Sequence, residues 1–116
     1  MNKKIEEKIT MIKEAKRQYT IWFDIDGTLV DTDEQKYDEV IPDEAMIALV
    51  NHLHHLGHRI ILVTARGATS RVDWRELTES QLKKWGVWYH ELLMGRPKDL
   101  IIDDVALRPN EFLELF

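Results

Sequence analysis

The sequence has no cysteine, few prolines and glycines, and no long apolar run. The absence of cysteine excludes disulfides, thiolate metal sites and cysteine nucleophiles. A membrane-spanning helix needs about 20 consecutive apolar residues, and no stretch of that length occurs. The first 17 residues are charged throughout and do not read as a secretory signal. We therefore expect a cytoplasmic protein without membrane contacts.

The chain has 116 residues, which suits one compact domain. Its net charge of −5 is unevenly distributed. Residues 1–17 carry six basic and three acidic side chains, whereas the remainder carries ten basic and eighteen acidic ones. An acidic body does not attract a polyanion over long range, so nucleic acid is an unfavoured partner. It does suit a site that holds a divalent cation.

Apolar periodicity predicts an amphipathic helix at residues 3–17, ahead of a main domain at 19–116 with strands alternating with helices. We treat residues 1–18 as a separate N-terminal element. The main-domain strands are continuously apolar, as in a parallel sheet covered on both faces. The expected fold is a small, doubly wound (Rossmann-like) α/β domain. The predicted strands are 20–25, 59–63, 91–94 and 100–102, and the predicted helices 42–56, 74–85 and 109–115.

Two carboxylates, Asp24 and Asp26, come at the end of the first predicted strand. Side chains two apart on an extended backbone face the same side, and Gly27 lets the chain turn immediately afterwards. Two neighbouring carboxylates repel each other unless a cation lies between them or one is protonated. The pair therefore suits metal binding or a nucleophile beside a general acid, although a simple aspartate-rich turn also fits.

Polar residues also follow the second predicted strand, in Thr64-Ala65-Arg66. A hydroxyl donor and a guanidinium at this position suit the oxygens of a phosphate group. A helix-capping threonine beside a surface arginine is the plain alternative. Parallel strands deliver their carboxyl ends to one edge, where open α/β sheets bind ligands.

The last predicted strand, Leu100–Ile102, is followed by Asp103 and Asp104, and Arg96 and Lys98 lie just upstream. Adjacent carboxylates after a buried apolar run are costly unless they are solvated or bound to a cation. Acid, hydroxyl and acid at the ends of three strands are hard to attribute to chance.

The order Asp-x-Asp-Gly-Thr, Thr-Ala-Arg, Lys and Asp-Asp resembles the four motifs of the haloacid dehalogenase-like (HAD-like) superfamily. The resemblance covers about residues 21–107. Trp85-Gly86-Val87, Tyr89-His90 and Gly95-Arg96-Pro97 are similar to the small capless phosphatases of capsule or sugar biosynthesis. Those phosphatases often have Gly-Lys-Pro instead, which leaves both Arg96 and Lys98 as candidates for the third-motif cation, with a slight preference for Lys98.

The resemblance implies a Mg²⁺-dependent phosphatase in which Asp24 forms an aspartyl-phosphate and Asp26 is the general acid and base. Thr64 and Lys98 (or Arg96) would neutralise the transferring phosphoryl group. The implied Mg²⁺ ligands are Asp24, the Asp26 main-chain carbonyl, Asp104 and Asp103, with Asp104 favoured for direct contact. The implied substrate-binding residues are Gly27, Thr64, Ala65 and Arg66.

Three functions stay open at this point. The first is a phosphatase for a small metabolite such as a sugar phosphate. The second is a polynucleotide 3′-phosphatase, and the third is a catalytically silent module that binds Mg²⁺ or a protein partner. The acidic segment 31–39 is expected to form a loop or flap, with Tyr37 near the substrate. The N-terminal helix either folds back on its own domain or contacts a second subunit in a homo-oligomer.

Other aromatic and histidine residues are expected to be structural. His52 and His55 fall opposite the apolar face of their helix, which favours solvated side chains over a metal cluster with His54 and His58. The four tryptophans are expected in the core. His90 is expected not to reach the site.

Overall fold

The computed structural model describes residues 3–31, 36–70 and 72–116. It is an α/β fold in which helices flank a parallel sheet, as the sequence predicted. The predicted flap includes residues 32–35, which lie outside the described part. The elements are α1 (Lys3–Glu14), β1 (Thr20–Asp24), β2 (Val30–Asp31), a 3₁₀ turn (Tyr37–Glu39), β3 (Ile41–Pro42), α2 (Glu44–His55), β4 (Arg59–Val63), α3 (Arg75–Lys84), β5 (Glu91–Leu93) and α4 (Pro109–Leu115).

The main sheet has the order β1-β4-β5, with all three strands parallel. Asp24 at the end of β1 pairs in register with Val63 at the end of β4, and Val63 pairs with Leu93 at the end of β5. The three carboxyl ends therefore meet at one edge. The short strands β2 and β3 form a separate antiparallel pair.

The helices cover the sheet with periodic apolar faces, which is the arrangement that buries most apolar surface for a parallel sheet. Helix α2 begins at its cap Asp43, whose carboxylate accepts the backbone N–H of Met46 at 3.0 Å. Strand and helix side chains form one core cluster, which includes Phe23, Ile25, Leu29, Met46, Val50, Leu53, Ile60, Leu62, Leu82 and Phe112. No helix in the described ranges is long and apolar enough to cross a bilayer. The cytoplasmic location stays a prediction.

Helix α1 packs against its own chain. Ile5, Ile9 and Ile12 are buried and belong to the same core cluster as the sheet. The Ile12 carbonyl lies 2.8 Å from His58 Nε2, and the Tyr19 backbone N–H donates to His58 Nδ1 at 3.1 Å. Of the two arrangements open to this helix, the structure has the folded-back one. A homo-oligomer built through α1 stays a proposal, and it would have to use the exposed charged face.

The predicted strand at residues 100–102 is not formed. Leu100, Ile101 and Ile102 are 77%, 55% and 91% exposed. Apolar residues favour burial, but a three-residue strand forms only with a partner to pair with, and this segment has polar loops on both sides. Within the described residues, β1 is an edge strand. A groove of about 1050 Å³ runs along β1, with Ile101 among its lining residues.

The prediction for the tryptophans was half wrong. Trp74 and Trp85 are partly buried, whereas Trp22 and Trp88 are 61% and 57% exposed. Trp22 alternates along β1 with the buried Phe23, and its side of the strand is not covered. The solvent exposure predicted for His52 and His55 is confirmed.

Candidate active site

The chain turns sharply where β1 ends. The Ile25 backbone N–H continues the sheet by donating to the Val63 carbonyl at 3.0 Å, and the Gly27 N–H donates to the Val30 carbonyl at 2.8 Å. Gly27 has φ +88, which side-chain-bearing residues rarely adopt. This turn keeps Asp24 and Asp26 at the carboxyl edge of the sheet.

Asp24 forms an ion pair with Lys98. The Lys98 Nζ donates to Asp24 Oδ2 at 2.6 Å, and both side chains are about one-third exposed. Arg96, the other candidate cation, has an exposed side chain, and its backbone N–H donates to the Thr64 carbonyl at 2.9 Å. The geometry therefore brings Lys98 to the carboxylate of Asp24.

Asp26 is held by two residues that follow β4. Arg66 binds it in a bidentate manner, with Nη2 donating to Oδ1 at 2.8 Å and Nε donating to Oδ2 at 3.0 Å. The Thr64 hydroxyl donates to Oδ2 at 3.1 Å. Paired N–H···O bonds of this kind fix the plane of a carboxylate as well as its position. The two aspartates therefore differ: Asp24 contacts one flexible lysine, and Asp26 is clamped.

Arg66 is buried, which does not agree with the phosphate-binding role predicted for it. A phosphate-binding arginine would face the open crevice, but this guanidinium is 1% exposed. Its Nη1 donates to Thr78 Oγ1 at 3.1 Å and to Gln81 Oε1 at 2.6 Å, both on α3. It also lies 4.7 Å from the centroid of the Tyr37 ring. In this arrangement Arg66 orients Asp26 and does not face the crevice.

Sequence reasoning missed Thr78 and Gln81. Both side chains are buried, at 1% and 9% exposure, although they are polar. Their spacing of three places them on the same face of α3, next to the apolar Leu82. Polar residues on an otherwise apolar helix face were the available signal, because buried polar groups need partners.

The predicted substrate-binding residues Gly27 and Ala65 lie in the turns that follow β1 and β4. Ala65 is exposed, and its carbonyl accepts the Ala68 backbone N–H at 2.9 Å. Both residues are at the edge of the sheet that carries Asp24. Their contact with a substrate stays a prediction.

Asp103 and Asp104 are not gathered around Asp24. Asp104 forms an ion pair with Lys4 of α1, and the hydrogen bond and charge of Lys4 lower the pKa of Asp104. Asp103 accepts the Val105 backbone N–H at 2.9 Å and lines the same groove as Asp24 and Lys98. In ranges 3–31, 36–70 and 72–116, no group of three acidic or histidine residues is arranged to hold a metal ion. The predicted four-aspartate set is therefore not assembled here.

His90 and Tyr37 occupy different ends of the molecule. The Ile60 backbone N–H, near the start of β4, donates to His90 Nδ1 at 3.0 Å, and the His90 ring stacks on His54 at 4.6 Å. His90 is thus remote from the carboxyl edge of the sheet. Tyr37 covers Arg66, beside the candidate site.

Comparison with known proteins identifies the family. Residues 18–108 match the family described as the polynucleotide kinase PNKP phosphatase domain. The chain belongs to this family of HAD-like phosphatase domains. The HAD-like resemblance drawn from the four motifs is thereby confirmed. A search of curated proteins gave no match.

Two solved structures are similar to this HAD-like domain. A crystal structure from Vibrio cholerae is 30% identical with a TM-score of 0.74, and the match covers 83% of this chain and 88% of that one. A structure of the Pnkp1/Rnl/Hen1 complex is 26% identical with a TM-score of 0.55 and covers 84% of this chain. The HAD-like domain spans only 34% of that second chain.

HAD-like phosphatases generally use Mg²⁺. The donor chemistry of this chain fits, because Mg²⁺ prefers oxygen ligands and carboxylates supply them. Asp24 is partly exposed at the sheet edge and can offer an oxygen. The arrangement does not fit, because the described residues do not bring Asp103 and Asp104 to Asp24.

Proposed function

We propose that this chain is a phosphoric monoester hydrolase that uses Asp24 as its nucleophile and Asp26 as its general acid and base. The observation that carries the proposal is the pairing of two unlike aspartates at the sheet edge. Asp24 is partly exposed beside Lys98, so its carboxylate can approach a phosphorus atom. Asp26 is clamped by Arg66 and Thr64, as a group that transfers a proton in a fixed direction has to be.

The reaction proposed has two steps. An oxygen of Asp24 attacks phosphorus, the bond from phosphorus to the ester oxygen breaks, and Asp26 gives its proton to that oxygen. Water then attacks the aspartyl-phosphate, Asp26 takes a proton from the water, and phosphate leaves with Asp24 restored. Lys98 offsets negative charge on the phosphoryl oxygens, where positioning and electrostatics do most of the work.

We also propose that turnover depends on Mg²⁺, which would shield the negative charge of the phosphoryl group. Asp24 and the Asp26 carbonyl are the proposed ligands at the sheet edge. Asp103 and Asp104 are proposed to join them only when the segment that carries them moves toward Asp24, because in the structure Asp104 pairs with Lys4 and Asp103 accepts from Val105. Binding is measured without activity as a rise in melting temperature with MgCl₂, because a ligand that binds only the native state stabilises it. The domain is proposed to be capless, since the 27–42 interval leaves room only for a flap.

Two substrate classes are supported by different observations. The acidic body argues for a small phosphorylated metabolite, such as a sugar phosphate. The family match, and the likeness to a chain of the Pnkp1/Rnl/Hen1 complex, favour a polynucleotide 3′-phosphate. The basic α1 could contribute cations to the second class. Binding to an oligonucleotide that weakens steeply with salt supports the polynucleotide, whereas its absence supports the metabolite.

The test measures phosphate release in the presence of Mg²⁺ by wild type and Asp24→Asn, with sugar phosphates, nucleotides and oligonucleotide 3′-phosphates as substrates. Wild type is expected to hydrolyse one class, and Asp24→Asn to fold normally and lose turnover by at least about 10⁴-fold, as when a nucleophile is removed. Glu114→Gln, the same carboxylate-to-amide change at an exposed position on α4, is the control. Substantial turnover by Asp24→Asn excludes this nucleophile, and an inactive wild type supports the silent module.

A further inference from the structure

Gln81 uses both ends of its side-chain amide. Its Oε1 accepts from Arg66 Nη1 at 2.6 Å, and its Nε2 donates to the main-chain carbonyl of Tyr37 in a short hydrogen bond. The side chain is 9% exposed. A buried amide that joins two other groups restricts both, because losing either bond leaves a polar atom without a partner.

The first of these groups leads to Asp26. The Arg66 guanidinium is planar, so a contact on one edge fixes the direction of the other edge. Gln81 and Thr78 hold its Nη1, while Nε and Nη2 hold the two oxygens of Asp26. The orientation of the Asp26 carboxylate therefore depends on α3.

The second group leads to the flap. The 3₁₀ turn at Tyr37–Glu39 is the described part of the segment between β2 and β3. The Tyr37 ring lies over the Arg66 guanidinium at 4.7 Å and meets the Trp74 ring edge-on at 5.1 Å. With the bond from Gln81, three contacts fix this turn on Arg66 and on the residues of α3 and its cap.

We propose that Gln81 is a positioning residue that couples the flap turn Tyr37–Glu39 to the orientation of Asp26 through Arg66. The proposal rests on the proposed function, in which the Asp26 proton moves to the ester oxygen as the phosphorus–oxygen bond breaks. An Asp26 carboxyl group that has rotated donates that proton poorly. The plain alternative is that Gln81 only supports the packing of α3.

The leaving group of the substrate separates these two roles. An alkyl alcohol needs the proton from Asp26, whereas p-nitrophenolate leaves without one, since acid catalysis matters most for a basic leaving group. The ratio of kcat/KM for an alkyl phosphate to that for p-nitrophenyl phosphate therefore reports on Asp26. Loss of folded protein lowers both values by the same factor and leaves the ratio unchanged.

Two substitutions separate the two ends of the amide. Gln81→Leu removes both bonds and is expected to lower the ratio about tenfold, a fraction of a full general-acid contribution of about 10²–10⁴. Gln81→Glu keeps an acceptor for Arg66 but cannot donate to Tyr37, so an intermediate ratio is expected. Gln18→Leu, the same change at an exposed position, is expected to leave the ratio within twofold of wild type.

Two measurements without substrate test the contacts themselves. Trypsin cleavage after the exposed Lys36 reports on the flap turn and is expected to accelerate in Gln81→Leu and Gln81→Glu. The NMR signal of the Arg66 Nε–H is expected to shift or broaden in Gln81→Leu. An equal fall on both esters, or an unchanged Lys36 cleavage rate and Arg66 signal, overturns the coupling. If wild type hydrolyses neither ester, the proposed function fails, and these two measurements alone decide the coupling.

Discussion

Replacing His58 with alanine tests whether α1 is docked on its own chain in solution. The His58 ring is 1% exposed and lies between the end of α1 and the start of β1. The Tyr19 N–H has to donate to Nδ1, so Nε2 carries the hydrogen that is donated to the Ile12 carbonyl. The Tyr19 ring meets the His58 ring at 5.7 Å. One side chain thus joins α1 to the sheet.

The expected loss follows from these contacts. His58→Ala removes the partner of one buried backbone group, the Ile12 carbonyl, and of one half-buried group, the Tyr19 N–H. Each loss costs about 1–3 kcal/mol, with the lower end applying where water can reach the group. We therefore expect the free energy of unfolding to fall by about 2–4 kcal/mol. With an average unfolding entropy of roughly 2.1 cal/mol/K per residue, each kcal/mol lowers Tm by about 4 °C in a chain of this length. The expected fall is about 8–16 °C.

Urea and thermal unfolding measure this loss of stability. The rate of trypsin cleavage near Lys16 and Arg17 measures how often α1 separates from the sheet. Faster cleavage there is expected in His58→Ala because α1 separates from the sheet more often. His52→Ala, the same change at an exposed position, is expected to alter stability by less than about 0.5 kcal/mol. A His58→Ala effect as small as that of the control would refute docking of α1 on its own chain. A doubled mass in solution would then support the subunit role.

Two further predictions concern Lys98 and His54. Lys98→Ala is expected to lower kcat by about 10²–10³-fold, as when a donor that stabilises charge in the transition state is removed. Arg96→Ala is expected to lower kcat less than tenfold. If Arg96→Ala had the larger effect, Arg96 would be the cation that acts on the phosphoryl group. Burial, followed by the neighbouring His90, lowers the pKa of His54, so the native state binds fewer protons than the unfolded state. The stabilisation that depends on an uncharged His54 is present above the ordinary pKa of 6.5 and is lost as pH falls through the folded pKa. His54→Asn is therefore expected to reduce the fall of the urea unfolding midpoint at acidic pH. Parallel pH curves for His54→Asn and wild type would contradict the assignment.

The sequence was sufficient to place Asp24, Asp26 and Thr64 at one edge of the sheet. Continuous apolar strands predict a parallel sheet, and a parallel sheet brings its carboxyl ends together. The same reasoning could not choose between Arg96 and Lys98, because both flank one proline and only the path of the chain decides which cation reaches Asp24. It could not orient Arg66 either, since a long side chain after a strand can face the crevice or turn inward.

The predictions that were open, wrong or missing share a physical cause. Periodicity identifies which face of an element prefers burial, but not what covers it. Helix α1 therefore stayed open between its own domain and a second subunit. The apolar segment 100–102 reads as a strand, yet it is exposed because apolar character alone supplies no hydrogen-bonding partner. The buried polar pair on α3 is missed for the converse reason, because polar residues normally mark the solvent-facing side of an amphipathic helix.

The outer edge of β1 decides whether a specific activity would depend on protein concentration. Within the described ranges this edge pairs with no strand, and the apolar Leu100–Ile102 is exposed in the same molecule. An open edge with apolar neighbours invites another strand, from its own chain or from a second molecule. A sheet extended within one chain gives a specific activity that is independent of dilution. A sheet extended between two chains gives an activity that changes with dilution, because the strand that gains a partner is β1, which ends at Asp24.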